Sequence, residues 1–166
     1  MSGSVDIPRA VLEAIYGHAR EGYPEEVCGF IVGGLGPRPE AGAASEASLM
    51  EARRCENRQN ALHAEDPVSF PRDARTAYNL GAPDLLKLGK SLRGPRPAKI
   101  IYHSHVDIEG DGAYFSATDQ EAALLDGEPS YPVEYVVVDI KADAPRGAAQ
   151  FAWDEAAKRY VEIGRY

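Results

Sequence analysis

Two hydrophobic periods run along this chain, and each marks a different kind of element. Between residues 7 and 20, Val11, Leu12, Ile15 and Ala19 recur at helical spacing. Asp6 stands where a cap would, Pro8 suits a first turn, and "GYP" at 22–24 closes the segment. "VCGFIVGG" follows as an unbroken apolar run ended by glycines, which predicts a fully buried strand. "LGPRPEAGAAS" is a flexible loop by composition, and "SLMEARRCEN" has strand length without clean alternation. "NRQNALHAEDPVSF" predicts irregular structure with a short strand near Leu62.

Further on, "PRDARTAYNLGAPDLLKLGKSLRG" predicts helix in one or two pieces, interrupted near Gly81 and Pro83. After the turn "RGPRP", "AKIIYHSH" has the apolar content of a central strand. "SATDQEAALLDG" predicts a short helix from Ser116 to Gly127, and "EYVVVDI" a second buried strand. "GAAQFAWD" and "KRYVEIGR" predict two late strands in a hairpin. Helix, strands, helix, strand, helix, strands in that order predict an α/β protein with a mixed central sheet flanked by helices. The 166 residues fit one domain, 1–166, without internal repeats.

Composition narrows the partners more than the chemistry. With 44% hydrophobic and 27% charged residues the chain has ordinary globular content. The net charge is −8 and no basic stripe exists, which argues against a nucleic-acid partner. No apolar run reaches the ~20 residues of a membrane span. Cys28 and Cys55 form neither a disulfide framework nor a C-x-x-C pair. The start lacks a basic region followed by an apolar core, so the expectation is a cytoplasmic protein with reduced thiols.

The candidate chemistry sits at the end of the central strand. Residues two apart on a strand point to one face, so His103 and His105 present both imidazoles together. That suits two ligands of a tetrahedral metal such as zinc, although two hydrogen-bonded strand histidines have the same spacing. Asp119, in the first turn of the next helix, is the natural third ligand. "SATD" is equally a capping-box pattern, with Ser116 as cap. Upstream, Glu25 and Glu26 precede a buried strand, where a metal-assisted hydrolase needs a carboxylate base. Two His, one Asp, one Glu and a hydroxyl make a complete set for amide hydrolysis.

In that order, "EEVCGFIVG", "YHSH" and "SATD" resemble the JAMM (MPN-type) zinc metalloprotease family, from the first helix through "YVVVDI". The resemblance implies a cytidine-deaminase-like α/β sandwich. It implies Zn2+ held by His103, His105 and Asp119, Glu26 as general acid/base and Ser116 as oxyanion donor. It implies a cytoplasmic hydrolase acting on the C-terminal tail of a ubiquitin-like or sulfur-carrier protein, with a homodimer allowed. A non-catalytic scaffold or a zinc-binding module of the same fold is the alternative. Base deamination is disfavoured, because H-x-E and P-C-x-x-C are both missing.

Two departures stand out. Val106 occupies a place where the family usually has proline, and "VDIEGDGAYF" is longer than the usual interval. The extra residues read as a surface turn that bulges without moving the ligands. Asp107, Glu109 and Asp111 offer a second reading as a hard-cation loop, without the full calcium-loop pattern. Cys28 reads as packing, His18 and His63 as helix-surface and loop histidines, and Tyr114 and Phe115 as groove lining or core.

Overall fold

The apolar runs in "AKIIYHSH" and "EYVVVDI" become neighbouring parallel strands, and the remaining elements are arranged around them. The computed structural model describes residues 5–33 and 50–166. The expected loop "LGPRPEAGAAS" lies outside these described residues. In chain order the elements are α1 (Arg9–Gly22), β1 (Cys28–Val32), β2 (Glu51–Cys55), α2 (Gln59–Glu65) and α3 (Ala82–Ser91). There follow β3 (Ala98–Val106), α4 (Ala117–Ala122), β4 (Leu124–Leu125), β5 (Glu128–Pro129), β6 (Glu134–Lys141), β7 (Ala144–Asp154) and β8 (Arg159–Arg165).

Six strands form one mixed sheet in the order β2-β1-β3-β6-β7-β8. Only β3 and β6 run parallel, and they occupy its centre, buried along almost their whole length. One face packs Ile31, Ile100, Tyr102, Val136 and Val138 against Val11, Ile15 and Ala19 of α1. The other packs Phe30, Ile101, Val137 and Phe151 with Leu88 of α3 and Phe115. This is a mixed sheet flanked by helices, and β7 and β8 form the expected hairpin. No helix among the described residues is long and apolar enough to cross a membrane.

Five local expectations are corrected. Asp6 does not cap α1; Pro8 is the N-cap residue, already extended, and no side chain caps the helix. Residues 59–65 are the helix α2, anchored by polar contacts that apolar periodicity cannot reveal: Asn57 Oδ1 accepts from Gln59 N at 3.0 Å. Residues 71–79 are turns, because Asp73 Oδ1 takes the Arg75 N–H and so competes with a helical bond. Pro83 sits in the first turn of α3, where proline costs nothing, so that helix starts at Ala82 and is not interrupted. Finally, α4 ends at Ala122, and Asp126 and Gly127, both at positive φ, turn the chain between β4 and β5.

The pairing of β1 with β3 places the site. Cys28 lies opposite His103 in an antiparallel register, and two more steps bring Glu26 opposite His105. Ser104, pointing to the other face between the histidines, reinforces that register. Its Oγ accepts from Val27 N at 2.9 Å, and its own N–H donates to Val27 O at 3.1 Å. Ser104→Ala leaves the buried Val27 N–H without that acceptor, so denaturant unfolding should report a loss of about 1–3 kcal/mol. An unchanged midpoint would show that this bond does not secure the strand.

Candidate metal centre

His103 and His105 leave β3 on the same face, with their Nε2 atoms 3.2 Å apart. Their side chains are almost fully buried, as is Glu26 at 6% exposure. Ligand atoms of Glu26, His103 and His105 all lie within 4.8 Å of one another, so these three could hold a metal ion. Among the described residues the Glu26 carboxylate receives no hydrogen bond and joins no ion pair. Glu25, its neighbour, is exposed and accepts from Asn60 Nδ2 at 2.9 Å.

Asp119 arrives from the far side on α4. Ser116 is the N-cap, and both halves of the capping box are present. Ser116 Oγ accepts from Asp119 N at 3.1 Å, while its N–H and hydroxyl donate to Asp119 Oδ2 at 2.9 and 2.7 Å. The other consequence of this box is the aim of the carboxylate. Asp119 Oδ1 lies 3.3 Å from His103 Nε2, and Oδ2 lies 3.4 Å from His105 Nε2. Helix capping and donor positioning are therefore one arrangement.

Charge distribution follows from burial and these contacts. Burial would raise the Asp119 carboxyl, but the two imidazoles and the Ser116 hydroxyl outweigh it and hold the group well below the usual range. Burial lowers His103 and keeps it neutral. His105 goes the other way: burial opposes its charge, yet hydrogen bonding to Asp119 and the nearby carboxylates raise it. Glu26 is pushed up to about 8, first by burial and then by Asp119, against the pull of His105 and Arg72. Cys28, packed in the core, has its thiol pushed far up by burial, in keeping with a packing role.

Outer contacts orient the rings. His105 Nδ1 donates to Gly112 O at 2.9 Å, which turns Nε2 inward toward Asp119. Gly112 cannot carry a side chain here, since a Cβ would sit 2.5 Å from Asp139 Oδ1. The long loop therefore supports a ring of the site and is no free bulge. It is also pinned elsewhere: Asp107 takes bonds from Ala142 N and the Tyr23 hydroxyl, and Asp111 pairs with Arg165. With Asp107 and Asp111 turned to separate partners, the loop gathers no hard-cation site among the described residues. His103 has no partner for Nδ1, and its ring instead stacks on Tyr78 with centroids 4.3 Å apart.

A cleft of about 380 Å³ opens beside these groups. One wall is the turn segment with Arg72, Thr76 and Tyr78, and the other carries Tyr114, Ser116 and Thr118. Amides hold the first wall: Asn57 Nδ2 donates to Glu26 O and Ala77 O, and Gln59 Nε2 to Arg72 O. His63, on α2 and not in a loop, is within hydrogen-bonding distance of Phe70 O at 2.6 Å. Tyr114 lines the cleft and packs on His105, whereas Phe115 turns into the core against Tyr135, Phe151 and Tyr160. Tyr78, Arg72 and Gln59 escape sequence reasoning because their segment carries no motif. The one local signal is its density of Asn, Asp and Pro, which marks turns but not a wall.

The chain matches the prokaryotic homologs of the JAB domain over residues 8–154. It is a member of that family. Two solution structures share the fold. A protein from Salinibacter ruber is 25% identical with a TM-score of 0.56, covering 96% of this chain and 89% of its own. One from Desulfitobacterium hafniense is 18% identical with a TM-score of 0.57, covering 95% and 88%. No curated protein matches the chain.

The donor set of this JAB domain fits a small tetrahedral cation. Donors placed 2.0–2.1 Å from such an ion lie about 3.3–3.4 Å apart along the edges of the tetrahedron. The two Nε2 atoms are 3.2 Å apart, near that edge length, and the Asp119 carboxylate spans them, Oδ1 lying 3.3 Å from His103 Nε2 and Oδ2 3.4 Å from His105 Nε2. Glu26 stands beside these groups as a buried carboxyl.

Burial of Glu26 has a consequence for the metal-free protein. Its carboxyl ionises near 4.5 in the unfolded chain and near 8 in the fold. As pH rises through that window the unfolded state gives up the proton first, so the stability contributed by the protonated group is lost. Metal-free Glu26→Gln should therefore gain thermal stability over the parent as pH rises from about 5 to about 8, up to the order of a few kcal/mol. Parallel Tm curves for the two proteins would rule this out.

Proposed function

We propose that this JAB-domain protein is a zinc-dependent peptidase or isopeptidase. Its substrate in this reading is an amide at the C-terminal tail of a ubiquitin-like or sulfur-carrier protein. The observation that carries the proposal is the convergence of His103 and His105 Nε2, 3.2 Å apart, with the Asp119 carboxylate, whose two oxygens lie 3.3 and 3.4 Å from them in turn, next to an unpaired buried carboxyl. The resemblance of "EEVCGFIVG", "YHSH" and "SATD" to zinc metalloproteases supports the same assignment.

In this reading His103 and His105 hold the ion through Nε2, and Asp119 through its carboxylate. Zinc there supplies Lewis acidity, making a water acidic near neutral pH and polarising a carbonyl. Glu26 takes a proton from the attacking water and returns it to the departing amine. Its lack of any hydrogen-bond donor leaves both carboxylate oxygens free for that exchange. Ser116 has one hydroxyl proton, which rests on Asp119 Oδ2. Turned toward the scissile carbonyl, the same hydroxyl donates to the developing oxyanion, worth roughly 3 kcal/mol. The cleft beside the site receives the tail.

The test combines metal content with product mass. Purified parent protein should hold close to one zinc per chain and cut tail fusions of ubiquitin-like proteins. His103→Ala should lose the zinc. Glu26→Gln should keep it while hydrolysis falls at least ~100-fold, since an amide cannot accept the proton. Zinc bound with full stoichiometry but no cleavage of any tail fusion would instead favour the non-catalytic module.

A further inference from the structure

We propose that Arg72 anchors a free carboxylate at the very end of the substrate, so that the site releases a short C-terminal extension. This rests on the amide-hydrolase reading and assigns the leaving side of the substrate.

Arg72 is the only Lys or Arg among the described residues lining the cleft that also contains Glu26, His105, Ser116 and Asp119. Several other arginines are paired with carboxylates: Arg54 with Glu21, Arg58 with Glu56, Arg165 with Asp111 and Glu162. Arg72 makes no such ion pair among the described residues. Its Nη1 donates to Thr76 O at 3.0 Å, which steadies the head and leaves the rest of the guanidinium fork for an anion. The backbone beneath it is fixed, because Gln59 Nε2 donates to Arg72 O at 2.7 Å. A preorganised, unpaired guanidinium in a cleft suits a planar carboxylate.

The position of Arg72 sets the direction of the substrate. Glu26 N donates to Ala74 O at 2.7 Å, tying the wall that carries Arg72 to the backbone of Glu26. In hydrolysis the amide C–N bond breaks, the water hydroxyl joins the carbonyl carbon and a proton goes to nitrogen. Glu26 delivers that proton, so the departing amine lies on the Glu26 side, along the Arg72 wall. In a single departing residue the carboxylate is only two bonds from this nitrogen. The opposite wall, with Tyr114 and Thr118, then faces the acyl side. On a chain of net charge −8, with Glu26 and Asp119 at the site, a substrate anion is repelled except where Arg72 receives it.

Two synthetic peptides of one sequence ending in Gly-Gly-Ala test this, one with a free carboxylate and one amidated. The zinc-loaded parent should prefer the free acid in kcat/KM by about 10- to 100-fold, the worth of a charged hydrogen bond. Arg72→Ala should abolish the preference, and Arg72→Lys, which keeps the charge, should retain part of it. Calorimetric binding to Glu26→Gln, with and without Arg72→Ala, reads the anchor without turnover. Preference for the acid in binding, lost with Arg72→Ala, upholds the anchor even if the parent cuts neither peptide, a result that would sink the hydrolase reading alone. Equal treatment of acid and amide, in turnover by the parent and in binding by Glu26→Gln, or a preference that survives Arg72→Ala, overturns the anchor.

Discussion

The antiparallel register between β1 and β3 is the constraint on which the site depends. Cys28 opposite His103 puts Glu26 opposite His105, and the two hydrogen bonds between Val27 and Ser104 secure that alignment. A slip of one residue would turn every side chain to the other face of the sheet. The core forbids it, because Ile31 and Phe30 belong to different hydrophobic layers on opposite faces. Packing of the sheet thus fixes which carboxylate stands beside the imidazoles.

The remaining donor comes from a separate physical device. Asp119 is held by the first turn of a six-residue helix whose cap is Ser116. So short a helix has little stability of its own, and the capping box contributes directly to it. The bonds that make the box also aim the carboxylate between the two rings. Around this pair, the Gly112 carbonyl and the Tyr78 ring orient His105 and His103 by different means, a hydrogen bond in one case and a stack in the other.

Those origins explain what could be read in the sequence. The two central strands, α1 and the late hairpin were legible because burial imposes apolar runs or periods on them. His103 and His105 were legible as a pair because residues two apart on a strand share a face; Asp119 and Glu26 were picked out by the resemblance of "EEVCGFIVG", "YHSH" and "SATD" to a known family, and the structure places the four side chains side by side. The segment from Asn57 to Leu80 was not legible. Its shape is set by side-chain amides and Asp turns reaching across as many as 35 residues, as from Asn60 to Glu25, and no period records such contacts. The support that the loop at 106–115 gives His105 was not legible either, since it runs through a backbone carbonyl that any sequence possesses.

Anomalous diffraction from crystals of the zinc-loaded protein tests the central claim most directly. The account predicts one ion about 2.0–2.1 Å from Nε2 of His103 and His105 and about 2.0–2.2 Å from an Asp119 oxygen, with the Glu26 carboxylate outside the coordination sphere. An ion ligated by Glu26 in place of Asp119, or no anomalous peak at these residues, would contradict it.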